Sequence, residues 1–321
     1  MKTLNLVSLE KSDIKYKKIQ YPDNQQNITI ESNNLDVVIS THVIPMKGVL
    51  GVQEVIHKTP IQIKSRLNNF QDLEIIICTV KSLRNLGVKE IHLYTPYFLG
   101  SRSDRQFEEG SCNYLKDIIC PIINSLEFES VTVLDPHSSV LEALITNFKS
   151  INNKDLVEFA LNDMGISKRD NQILISPDGG SLKKIYKLAE QIGYKGDVIT
   201  CSKDRDKDGK LTKCIVPFSL DYKHKDIIIV DDILDKGGTF INIAKEIKKL
   251  PYFRGNIYLV VTHGLFTGGF EELSKYFDGI YCTNSYGKLE SDEISDSWIG
   301  SKEEQYWSEI PRGLVKQLNI F

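Results

Sequence analysis

Three things are scarce in this chain, and each scarcity excludes a class of function. No two of its six cysteines (Cys78, Cys112, Cys120, Cys201, Cys214 and Cys282) stand in a CxxC pair, which argues against a zinc finger or a dithiol redox site. Several lie in apolar runs, such as Ile75-Ile76-Ile77-Cys78, and read as buried reduced thiols of a cytoplasmic protein. No apolar run nears the ~18 residues of a membrane span. Residues 1–13 alternate polar and apolar side chains without a hydrophobic signal core. Charge of one sign is also lacking: Lys and Arg number 40, Asp and Glu 43, for a net charge of −3. No basic face points to nucleic acid, and no like-charge block reads as a tail.

What is present is an ordinary globular composition, 41% hydrophobic and 26% charged, over 321 residues. That length predicts two domains of about 150 residues each. Between 170 and 285 the order is clear. Apolar runs at 171–175, 198–200, 227–230, 256–262 and 280–282 read as strands. Leu182, Ile185, Leu188, Ala189 and Ile192 mark one helix face, closed by Gly193; Ile241, Ala244, Ile247 and Leu250 mark another. Residues 203–213 are polar and glycine-containing and read as an exposed loop or hairpin. Strands alternating with amphipathic helices predict a parallel sheet, and a strand as continuously apolar as Ile227-Ile228-Ile229-Val230 predicts one covered on both faces.

The first half repeats the rhythm less crisply. Strands are expected at 36–40, 90–94 and 131–134. One helix carries Leu73, Ile76, Ile77, Val80 and Leu83; a second carries Leu115, Ile118, Ile119, Ile122 and Ile123 and is bent or broken near Pro121. The expected fold is α/β, with two tandem domains, 1–152 and 153–300, each a mostly parallel sheet flanked by helices. Residues 285–300 read as a polar loop returning the chain to a final helix near Leu314, so that 301–321 joins the first domain.

The strongest local signal is the string Ile227-Ile228-Ile229-Val230-Asp231-Asp232-Ile233-Leu234-Asp235-Lys236-Gly237-Gly238-Thr239. Open α/β sheets bind ligands outside the carboxyl ends of their strands. Glycines let backbone N–H groups approach an anion, and the helix start adds a favourable dipole. Thr239 suits either a phosphate oxygen or a helix cap. The twin acids do not help bind phosphate; as ionised acceptors they suit a sugar diol.

This string resembles the ribose-5-phosphate loop of the type I phosphoribosyltransferase fold, a strand followed by D-D-x-x-D-T-x-G-T, with Lys236 where threonine is usual. Four further segments narrow the resemblance to the ribose-phosphate diphosphokinase family and cover most of the chain in the same order. They are Pro96-Tyr97-Phe98 with Arg102, Asp104 and Arg105; Asp135-Pro136-His137; Ser176-Pro177-Asp178-Gly179-Gly180; and Thr262-His263-Gly264-Leu265-Phe266-Thr267-Gly268. Tyr21-Pro22-Asp23-Asn24-Gln25 is a weaker echo of F-x-D-G-E.

The resemblance implies transfer of the diphosphoryl group of ATP to the C1 hydroxyl of ribose 5-phosphate, with Mg²⁺. It implies that Asp231 and Asp232 contact ribose hydroxyls and that Asp235, Lys236, Gly237, Gly238 and Thr239 wrap the 5-phosphate. It places Arg102, Asp104, Tyr21 and Asp23 on the nucleotide and metal contact at His137 and Asp178. It makes Lys203 and Arg205 the pair that stabilises the transition state, although Asp204 replaces the family's middle arginine. It also implies a dimer-based homo-oligomer, up to a hexamer. Read by themselves, several of these residues keep a plain alternative: His137 as a structural histidine, Asp178 as a helix cap, Arg102, Lys203 and Arg205 as solvated cations, and residues 21–25 as an ordinary turn. The changes at Asn24, Gln25, Ser103 and Lys236 leave open a catalytically silent regulatory subunit. A nucleobase phosphoribosyltransferase is a further alternative, against which the first-half motifs argue.

Overall fold

In a computed structural model of the chain, the described residues are 1–46, 49–166, 172–205, 211–217, 222–289 and 314–321, with backbone alone at 38–46, 49–57, 203–205 and 211–214. They divide into two units, Met1–Ile151 with Phe321, and Asn152–Ile320.

The first unit runs β1 (Lys2–Asn5), β2 (Tyr16–Gln20), β3 (Gln26–Ile30), β4 (Val37–Met46), β5 (Val49–Lys58), β6 (Ile61–Lys64), α1 (Phe70–Asn85), β7 (Ile91–Tyr94), α2 (Cys120–Asn124), β8 (Ser130–Leu134), α3 (Val140–Leu144) and β9 (Phe148–Ile151). Five strands form a parallel sheet in the order β1-β6-β7-β8-β9. Two antiparallel hairpins, β2-β3 and β4-β5, form sheets of their own. Helix α1 starts where the Asn69 side chain accepts the Asp72 N–H at 2.9 Å. It stops at Gly87, whose φ of 86° admits a left-handed turn at no steric cost. Its buried stripe is Leu73, Ile76, Val80 and Leu83. Near Pro121, where a bend or break is expected, the helix changes type: a single π-type turn, Leu115–Ile119, leads into α2, and proline occupies that helix's first turn.

The second unit runs α4 (Lys154–Asp163), β10 (Gln172–Ser176), α5 (Leu182–Gln191), β11 (Asp197–Thr200), β12 (Ser202–Arg205), β13 (Leu211–Ile215), β14 (Asp226–Leu234), α6 (Gly238–Lys248), β15 (Ile257–Gly264), α7 (Glu271–Ser274), β16 (Gly279–Thr283) and β17 (Val315–Leu318). Six strands form a parallel sheet in the order β11-β10-β14-β15-β16-β17. Side chains alternate across it, so Ile227 and Ile229 join one core with Ile243, Ala244 and Ile247 of α6, while Ile228 and Val230 join another with α4 and α5. Both faces are covered, which is why the run from Ile227 to Val230 has no polar residue before the acids.

The end of the chain departs from expectation. Of the segment 301–321, expected to form a helix near Leu314 and join the first domain, residues 301–313 lie outside the described residues; the rest adds β17 to the second sheet, in register Ile280↔Val315 to Thr283↔Leu318, and of it only Phe321 belongs with the first unit. A parallel edge left open at β16 would expose a row of unpaired backbone groups, and this strand fills it. Side chains fasten it as well. Lys316 Nζ and Tyr281 Oη both donate to Asp163 Oδ2 at the end of α4, the tyrosine at 2.8 Å.

The Lys316 ammonium, then the Tyr281 hydroxyl, hold the Asp163 carboxyl below its usual range. A depressed carboxylate contributes stability above its unfolded pKa and loses it as pH falls through the folded one. Replacing Lys316 with Met should therefore lower the melting temperature by about 2–4 °C at pH 7. The gap should close as pH is taken below the ordinary carboxylate range, near ~4. Melting curves across that range check it; a gap independent of pH would refute the electrostatic account.

Candidate functional site

The second sheet has a reversal in its strand order. From β10 the chain crosses to β11 on one side, then returns to β14 on the other. Ligands of open parallel sheets bind at such a point, outside the carboxyl ends of the diverging strands. Here those ends are 176–180 and 231–239, the two motifs singled out above.

After β10 the chain turns through Asp178, whose Oδ1 accepts the N–H groups of Gly180 at 2.9 Å and Ser181 at 3.2 Å. Asp178 thus caps the turn that starts α5. Beside it, β14 runs further than the apolar pattern indicated. Expected to end at Val230, it continues through both acids to Leu234, because β15 extends alongside and supplies partners at Val261, His263 and Gly264. Asp231 is half-buried and Asp232 is only 7% exposed. Both acids meet the start of α5. Ser181 Oγ donates to Asp231 Oδ1 at 3.4 Å, and Lys184 Nζ lies 3.6 Å from Asp232 Oδ2.

The turn that follows is shaped by Gly237. Its φ of 81° is left-handed, and a Cβ there would stand 3.0 Å from Leu273 Cδ2. A Cβ on Gly238 would meet nothing within 4 Å, so there is open space beside the start of α6, where the first N–H groups have no intrahelical partner. Lys236 is exposed and Thr239 half-buried.

A second turn, 264–268, supports this one from β15. The N–H groups of Leu265 and Phe266 both donate to Leu234 O, at 2.8 and 3.3 Å. Thr267 Oγ1 donates to Asp235 Oδ1. A Cβ on Gly268 would lie 2.8 Å from Lys236 O. Behind the turn, buried His263 places Nδ1 2.8 Å from Ser285 Oγ. Sequence reasoning used 262–268 only as a family marker and gave no part to Ser181, Lys184, Thr267 or Ser285. Their contacts join residues 22 to 50 positions apart, which no local pattern encodes.

The acids and the glycine turn are therefore together in one unit. Lys203 and Arg205 follow in the same unit on β12, which pairs antiparallel with β13, Lys203 opposite Cys214 and Arg205 opposite Leu211. The loop or hairpin expected there is a hairpin; the two side chains lie outside the described residues.

The remaining candidates belong to the first unit. Tyr21 and Asp23 are exposed in the β2-β3 turn, closed by Tyr21 N–H on Gln25 O at 2.9 Å. Arg102 is exposed and Asp104 half-buried in the loop after β7. His137 is exposed just after β8. Among the described residues no three His, Cys, Asp or Glu side chains gather as a metal cluster, and no helix is long and apolar enough to cross a membrane.

A family profile described as phosphoribosyl transferase domain matches residues 146–252. The ribose-phosphate pyrophosphokinase of Pyrococcus furiosus is 28% identical over 207 residues, 64% of this chain and 70% of that protein. That of Mycoplasmopsis pulmonis is 27% identical over 226 residues, 70% of this chain and 67% of that one. For Saccharolobus solfataricus the figures are 26% over 195 residues, 60% and 63%. The crystal structure of phosphoribosylpyrophosphate synthetase from Mycobacterium smegmatis superposes with a TM-score of 0.63 at 14% identity, over 88% of this chain and 86% of that one, which establishes a shared fold. In sequence, and in fold with one solved synthetase, the chain is similar to the ribose-phosphate pyrophosphokinases.

Proposed function

We propose that the protein is a Mg²⁺-dependent ribose-phosphate diphosphokinase, making phosphoribosyl diphosphate and AMP from ribose 5-phosphate and ATP. The observation that carries this is the pairing of Asp231 and Asp232 with the open glycine turn at the start of α6, at the reversal of the second sheet. The turn suits a phosphate monoester, and the acids suit a diol. An intact sugar phosphate uses both.

In the reaction the C1 hydroxyl oxygen bonds to the β-phosphorus of ATP. The bond from that phosphorus to the α–β bridging oxygen breaks, AMP leaves with the oxygen, and the hydroxyl proton is released. Such a transfer needs alignment and compensating positive charge rather than covalent help from the protein. Asp231 and Asp232 orient the ribose. The 235–239 turn anchors its phosphate, and Lys236 brings a cation where the family has a hydroxyl. Lys203 and Arg205 steady the migrating diphosphate. Arg102, with Asp104, Tyr21 and Asp23, holds the nucleotide.

The Asp178 carboxylate, at the carboxyl end of β10, is an oxygen donor of the kind a hard cation takes, which supports Mg²⁺ as the metal. Asp178 and His137, directly or through water, are the proposed contacts. When bound, the ion supplies charge neutralisation at the phosphates. We further place the protein in the cytoplasm, as a homo-oligomer built from dimers.

Purified protein with ATP and Mg²⁺ should release AMP only when ribose 5-phosphate is added. Folded protein that releases none would remove the proposal. Consumption of phosphoribosyl diphosphate with a free base would replace it with a nucleobase phosphoribosyltransferase.

A further inference from the structure

We propose that Thr267 is a positioning residue for the anion cradle, fixing the Asp235 carboxylate so that its charge does not face the phosphate of a bound sugar phosphate. This rests on the ribose 5-phosphate reading of the site. The turn expected to wrap that phosphate begins with a full negative charge at Asp235. A phosphate monoester near neutral pH carries between one and two negative charges of its own. Like charges a few ångströms apart repel strongly where water is partly excluded. The backbone of residue 235 belongs in the cradle, but a freely turning carboxylate opposes what the cradle is for.

The structure gives that carboxylate a partner: Thr267 Oγ1 donates to Asp235 Oδ1 across 32 residues of chain. The hydroxyl is held in place from both sides. On one side is Phe266, with φ 52°, a left-handed conformation that a bulky residue adopts only when its surroundings enforce it. Its ring is buried, 4.7 Å from that of Phe270, and its N–H shares Leu234 O with that of Leu265. On the other side is Gly268, close enough to Lys236 O that no side chain fits between. The 264–268 turn is thus locked to the turn it serves, and its one hydroxyl meets the one acid there.

The test is titration of the full-length protein with ribose 5-phosphate and with inorganic phosphate, beside steady-state kinetics. Thr267→Val removes the hydroxyl and keeps the shape. It should weaken ribose 5-phosphate about tenfold and raise KM to match, with kcat changed by less than about twofold. Thr267→Ser should restore wild-type binding. In an Asp235→Asn background the same Thr267→Val change should cost nothing further, because the charge it releases is gone. Should the valine variant fold poorly, Thr267→Ala reads the same loss. Wild-type affinity in the valine or alanine variant overturns the inference. So does a tenfold loss that persists in the Asp235→Asn background, where an uncharged amide replaces the carboxylate. A wild-type protein that binds no sugar phosphate overturns the ribose 5-phosphate reading itself, and this inference with it.

Discussion

Alanine at both Lys203 and Arg205 should lower ribose 5-phosphate-dependent AMP release by about a thousandfold or more. Binding of ribose 5-phosphate should stay within about threefold of wild type. The reason for so large an effect is where the charge develops. In the loose transition state of phosphoryl transfer, negative charge spreads over oxygens that the ground state does not load in the same way. Cations present at that moment lower the barrier without tightening the sugar. Both residues stand on β12, which follows directly on β11 at the edge of the sheet that carries the proposed sugar site. Rapid-quench measurement of AMP beside calorimetric binding separates the two effects. Loss of binding with unchanged turnover per bound complex would assign these residues to substrate capture instead.

Alanine at Gly268 should cost both stability and substrate. Its Cβ would sit 2.8 Å from Lys236 O, with Lys236 Cα at 3.2 Å. Both are backbone atoms, so neither rotates away as a side-chain tip does. Relief requires one turn to move off the other, and overpacking of this kind costs about 1–3 kcal/mol. The displaced turn is the one proposed to carry the phosphate. We therefore expect a lower melting temperature together with loss of most ribose 5-phosphate affinity, the second exceeding what the first explains. A variant that melts early yet binds sugar phosphate normally would show that the two turns touch without functional consequence.

The parts of this site that could be read from the sequence are those that lie together in it. Four consecutive apolar residues followed by acids and glycines specify strand, turn and helix because each step is a local preference. Gly237 has the left-handed backbone such a turn demands, and the helix begins at the next residue. The run of β14 beyond Val230 was not legible. Aspartates favour loops in isolation, and here they stay in the ladder because a neighbouring strand offers them partners. The same tertiary override accounts for 315–318. Its residues carry no strong strand pattern, and a vacant place beside β16 decides their conformation. Asp178 shows a different limit. Its sequence position suits a cap and a metal contact equally, and the cap is the part geometry displays.

One consequence of β17 concerns how the protein is made. The strand that completes the second sheet lies more than thirty residues beyond its neighbour in the chain, from Thr283 to Val315. While a ribosome is still synthesising the intervening stretch, β16 has no partner on its outer side. Nascent chains at that stage present a bare strand to other nascent chains, and the closer together they are made, the greater the chance of an intermolecular pairing. Late arrival of residues 315–318 makes slow translation there, or crowding of ribosomes on one message, a hazard peculiar to this arrangement.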